Sequence, residues 1–132
     1  MSETSPNPAP AAPRGDADDQ ITLTVRRTGS HTVIEVGGEV DMLTSPQLRA
    51  TVLEQLAETA GVELVVLDLD AVTFLGTSGL AVLIEVREAA HMAGVELRLA
   101  CTARRVLRPL TIAGLVSLFD IHDSQEAALA AT

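Results

Sequence analysis

Residues 64–86, LVVLDLDAVTFLGTSGLAVLIEV, constrain the fold more than any other stretch of this chain. Val65, Val66 and Leu67 form a short β-branched and apolar run, the composition of a strand covered on both faces. Asp68–Phe74 reads as the connection that follows. Gly76-Thr77-Ser78-Gly79 then precedes Leu80, Leu83, Ile84 and Arg87, spaced i, i+3, i+4, i+7 as on one helical face. Thr and Ser side chains at such a start can cap free N–H groups of the first turn. Those N–H groups and the positive end of the helix dipole converge on one spot. A phosphate on either hydroxyl would therefore land where negative charge is already favoured.

The flanking sequence extends this unit in both directions. Ile21–Arg27 alternates apolar with polar residues as a half-buried strand, Thr28–His31 turns, and Thr32–Val36 returns to make a hairpin that Gly37-Gly38 ends. Thr44 or Ser45 caps the next helix, with Pro46 in its first turn, where no N–H is needed. Leu48, Val52, Leu53 and Leu56 share its apolar face, and Gly61 closes it. The second helix runs to Met92 and stops at Gly94. Glu96–Ala100 alternates as a fourth strand, and Thr102 caps a third helix whose pattern continues through Val106, Leu107 and Leu110. Pro109 predicts a kink or a break there, because an interior proline costs about 3 kcal/mol. Leu118–Ile121 reads as a last short strand, and Asp123 or Ser124 caps a helix over Gln125–Ala131.

The resulting order, β-β-α-β-α-β-α-β-α, defines an α/β domain over residues 21–132. It implies one mixed sheet of five strands with four helices packed mainly against one face or split around it. The hairpin pairs antiparallel, and strands joined through helices pair parallel. Residues 1–20 are rich in proline and hold no large apolar residue beyond Met1, so they read as a disordered tail.

Composition removes several function classes. The net charge is −9, from 9 basic against 18 acidic residues, which argues against a nucleic-acid partner. Every basic residue is Arg, and the one local group, Arg104, Arg105 and Arg108, reads as a solvated helix face rather than a phosphate site. Two Phe and no Tyr or Trp mean that the core is aliphatic. Cys101 stands alone, which fits a reducing cytoplasm and leaves no Cys/His set at metal-ligand spacing. No apolar run reaches the roughly 20 residues of a membrane span, and no signal peptide is expected, since residues 1–20 show neither the charged nor the apolar region of one. His31, His91 and His122 fall in a turn, a helix end and a strand end, so no hydrolytic triad assembles. A phosphate-binding loop of the Gly-Lys type cannot exist without lysine. Asp68 and Asp70, two apart, fit strand-end solvation and turn formation. The reading is a non-enzymatic chain with no catalytic residue, metal or cofactor.

Three ordered motifs, between them, resemble the STAS domains of bacterial anti-sigma factor antagonists. Phe74, Gly76, Thr77, Ser78, Gly79 and Leu80 match the family's Phe-x-Asp-Ser-Ser-Gly-Leu turn. Gly38-Glu39-Val40-Asp41 resembles its Gly-Glu-Leu-Asp segment, and Gly114-Leu115 its late Gly-Leu. The likeness runs from Ile21 to Ala131. It implies a bacterial, cytoplasmic regulator of transcription that binds an anti-sigma factor of the serine/threonine kinase type and is switched off by phosphorylation. It further implies Thr77 as the phosphoacceptor, with Ser78 as the alternative and the better cap. Partner binding would fall to Glu39, Asp41, Leu75, Gly76, Thr77, Ser78 and Leu80, and a second copy of the chain is an open partner. The Asp that precedes the acceptor in many members is Gly76 here, with Asp41 a candidate to stand in for it. The rival reading is a STAS scaffold or small-molecule sensor without the switch.

Overall fold

Alternating strands and helices build β1 (Ile21–Thr28), β2 (His31–Val40), α1 (Ser45–Ala57), β3 (Leu64–Leu75), α2 (Thr77–Ala93), β4 (Glu96–Ala100), α3 (Arg104–Ile112), β5 (Asp120–His122) and α4 (Gln125–Ala130). The structure, a computed structural model, describes residues 21–58 and 61–131. The tail expected over residues 1–20 lies outside the described residues. The sheet runs β1-β2-β3-β4-β5, with β1 antiparallel to β2 and every later pair parallel. Each parallel step moves one strand in the same direction, so crossovers of one hand carry α1, α2 and α3 to one face.

That face holds the main core, where Ile34, Val65, Leu67 and Leu99 of the sheet meet Leu48, Val52, Leu83 and Val106 of the helices. α4 covers the opposite face, closing Ala128 over Val33, Val66 and Ala100. Cover on both sides explains the unbroken apolar run at Val65–Leu67. α4 is tied down by the buried Arg98 of β4. Its guanidinium donates to the carbonyls of Ala128 and Ala131 at 2.5 and 2.8 Å and lies 3.4 Å from the Asp120 carboxylate. Buried charge is tolerable only with such partners. Ser124 caps α4 as expected, its hydroxyl oxygen accepting from the Ala127 N–H at 3.0 Å.

Several boundaries depart from the sequence reading. β3 continues through Asp68–Phe74 instead of ending there, because both carboxylates find partners in place. Gln125 donates to Asp68 at 2.6 Å, and Asp70 accepts from Thr102 at 2.7 Å. β2 runs past Gly37-Gly38 to Val40, with register shifts on either side of the glycine pair that mark bulges. Gly37 is required by close approach, since a Cβ there would lie 2.6 Å from Thr22 Oγ1. α1 ends at Ala57, ahead of Gly61. α3 passes through Pro109 without a break and ends at Ile112. β5 starts at Asp120, because Val116–Leu118 coil into a 3₁₀ turn. The buried stripe of α2 is Gly79, Val82, Leu83, Val86 and Ala90; Ile84 is exposed.

Candidate functional site

Strands β2 and β3 end side by side, and this shared end positions the hydroxyl turn. Val40 pairs with Leu75, and the Gly76 N–H donates to the Val40 carbonyl at 2.9 Å. Gly76 is the N-cap of α2, in extended backbone with φ −90° and ψ −179°. A capping side chain must come from that position, and glycine has none. Thr77 and Ser78 occupy the first two helical positions, and no side-chain cap bond forms. The expected cap by Ser78 is therefore absent, and the free N–H groups of the first turn face outward uncapped by a side chain. Thr77 is exposed and Ser78 half-buried. Gly79 presses this turn onto the strand ends, since a Cβ would meet Leu75 Cδ1 and Val40 Cγ1, each at 2.7 Å.

The loop after β2 is built by two side chains. Asp41 Oδ1 accepts from the N–H groups of Leu43 and Thr44 at 2.9 and 3.1 Å. The Thr44 hydroxyl donates to the Glu39 carbonyl at 2.7 Å and accepts from the Asp41 N–H at 3.0 Å. With its backbone so fixed, the loop holds Met42 and Leu43 outward, 75% and 63% exposed. Phe74, paired in register with Glu39, is 52% exposed at the same end of the sheet. Apolar side chains are thus held out of the core together, which makes this end of the sheet the candidate interaction surface.

Between α2 and α3 lies a cavity of ≈ 590 Å³, bounded by Gly76, Thr77 and Leu80 on one side and Arg105, Arg108 and Ile112 on the other. Arg105 is held by bonds to the carbonyls of Val72 and Asp70 at 2.6 and 2.9 Å.

The structure brings Glu39, Asp41, Gly76, Thr77, Ser78 and Leu80 to one end of the sheet. Leu75 differs from the rest: it is buried beneath Gly79 and supports the surface from below. Asp41 spends its carboxylate on its own loop rather than on the Thr77 hydroxyl. Met42, Leu43 and Ile112 escaped the sequence reading, although two adjacent apolar residues in a strand-to-helix loop were a usable signal. Arg105 and Arg108 were read as a solvated face. Their i, i+3 spacing was visible, but nothing local to α3 showed that it faces Thr77. Among the described residues no group of three His, Cys, Asp or Glu could hold a metal ion.

This arrangement has relatives. The STAS domain family model matches residues 22–128. The anti-sigma-F factor antagonist RsfB of Mycobacterium tuberculosis is 32% identical over 115 residues, covering 86% of this chain and 90% of RsfB. The crystal structure of an anti-sigma factor antagonist from Mycobacterium paratuberculosis superposes with a TM-score of 0.77 at 30% identity, covering 84% of this chain and 92% of that one. The Bacillus cell fate determinant SpoIIAA in its phosphorylated form shares the fold, with a TM-score of 0.62 at 17% identity over 80% of this chain and 96% of its own. The chain belongs to the STAS domain family and, within it, to the anti-sigma factor antagonists.

Proposed function

We propose that the unmodified chain binds an anti-sigma factor of the serine/threonine kinase type, in the cytoplasm, and so frees the sigma factor that this partner holds. The carrying observation is the exposed Thr77 at the first position of α2, beside the outward Met42, Leu43 and Phe74. Apolar side chains supply the contact area, and the uncapped helix start supplies N–H donors. Glu39 and Leu80 border the same surface.

The partner's kinase activity supplies the switch. Transfer from ATP forms a bond between Thr77 Oγ1 and the γ-phosphorus and breaks the bond to the bridging oxygen. ADP leaves, and the hydroxyl proton passes to a base on the kinase. The product carries about −1.5 to −2 added charges at pH 7 in the middle of an apolar contact, and burying that charge expels the partner. The chain is a substrate and a ligand, not a catalyst.

The test is to incubate the chain with its cognate anti-sigma kinase and ATP and to map the modified residue. Phosphate on Thr77, lost in Thr77→Ala while that variant still binds the partner, supports the reading. Phosphate on Ser78 with Thr77 unmodified overturns the assignment, and modification of neither residue overturns the switch.

A further inference from the structure

Arg105 and Arg108 line the same cavity as Thr77 and come from a different helix. Arg105 is not a loose surface side chain. Its Nε and one terminal nitrogen are committed to the carbonyls of Val72 and Asp70, which hold the planar guanidinium in one place. The bonds go to carbonyl oxygens, so no carboxylate neutralises it there. The Asp70 carboxylate is turned instead to the N–H groups of Thr102 and Ala103. Arg108 lines the cavity with no hydrogen-bond or ion-pair partner among the described residues. In a chain of net charge −9, two cations lining one cavity with no acid among its lining residues are a local reversal of sign. Leu80, Pro109 and Ile112 supply apolar lining around them, and the cavity is open to solvent.

We infer that this cavity is an intramolecular phosphate cage, in which Arg105 and Arg108 hold the phosphoryl group carried by Thr77 of the same chain. The inference rests on the reading of Thr77 as phosphoacceptor and adds what happens after transfer. The phosphate folds toward α3, takes charge-assisted bonds from the guanidinium groups, and fills the space between α2 and α3. The modified turn is thereby locked in a conformation the partner cannot engage, and the switch gains a component beyond repulsion. Arginine suits the role, because its fork of donors matches phosphate oxygens and its charge does not titrate.

The experiment uses the full chain with phosphothreonine installed at position 77 by genetic-code expansion, so that it does not depend on any kinase. The phosphate is titrated by ³¹P NMR in the wild-type background, in Arg108→Gln and in Arg104→Gln, a control on α3 that does not line the cavity. Each cation within reach lowers the second phosphate pKa, ordinarily about 6, by about one unit. The cage predicts a depressed value in wild type and in Arg104→Gln, and a rise of about half a unit or more in Arg108→Gln. Arg108 is exposed and makes no structural bond, so thermal unfolding of Arg108→Gln is expected to match wild type. Equal pKa values in wild type and Arg108→Gln overturn the cage, including the case where both are depressed by the helix start alone. The phosphoacceptor reading fails separately, by the absence of kinase-made phosphate on Thr77.

Discussion

The carboxylate of Asp70, in β3, accepts the backbone N–H of Thr102 at 2.7 Å and that of Ala103 at 3.3 Å. It thereby fixes the two residues that lead into α3, whose N-cap, Ala103, has no capping side chain. The same contact ties α3 to the strand that leads into the Thr77 turn. Asp70→Ala is expected to cost about 1–3 kcal/mol, the scale of lost hydrogen bonds to a charged group, measured by urea unfolding. A loss under about 0.5 kcal/mol would show the contact to be idle.

Leu83 is fully buried on the inner face of α2, and Ile84 beside it is exposed. Leu83→Ala should destabilise by about 2–5 kcal/mol, the range for a buried leucine. Ile84→Ala should stay within about 1 kcal/mol, as for exposed positions. Similar losses at both would mean that the helix is rotated from the orientation described.

Gly76→Asp restores the residue that many family members carry, at what is here the N-cap of α2. The backbone is extended, so any side chain fits its torsions; the new Cβ would lie 3.0 Å from Phe74 Cε2, and that exposed ring has room to swing away. Asp at an N-cap is better than Gly by a few tenths of a kcal/mol. The variant should therefore unfold at the same or a slightly higher temperature. Its carboxylate also stands beside the Thr77 hydroxyl, where it can help take the proton, so phosphorylation should be faster. A loss of more than about 1 kcal/mol would show that Phe74 cannot yield.

Cys101 is 2% exposed, and its thiol is pushed up to about 11 by burial, then by the charges of Asp70 and Asp68. A disulfide reagent near neutral pH should label it slowly in the folded chain and quickly in urea. The folded state holds this proton more tightly than the unfolded chain, whose thiol has the ordinary value near 9.0. Stability should accordingly fall as pH rises from about 9 toward 11, since the unfolded state then binds fewer protons. Urea midpoints across that interval, compared with Cys101→Ala, isolate the contribution.

The order of elements, the mixed sheet and the position of the hydroxyl turn were legible because each rests on local pattern. Where the reading failed, distant groups had changed what a residue could tolerate. Asp68 and Asp70 interrupt an apolar run and look like a strand end, yet Gln125 and the start of α3 satisfy them inside β3. Gly37 looks like a stop, yet it is the point where β1 approaches too closely for a side chain. On α2 the run Ala81-Val82-Leu83-Ile84 is apolar on every side, so periodicity alone could not choose its buried face. Arg105 and Arg108 acquire meaning only when α3 is laid across from Thr77, a relation between elements that no local window contains.

The strand order β1-β2-β3-β4-β5 repeats the order of the chain, so each strand adds to the edge its predecessor leaves open. Such a sheet grows outward during synthesis, with no strand waiting for a later one to be inserted beside it. The junction of β3 and α2, with Thr77 at its tip, precedes α3 in the chain. Arg105 and Arg108 thus follow the hydroxyl turn in the chain, and the segment that makes the turn is separate from the segment that faces it.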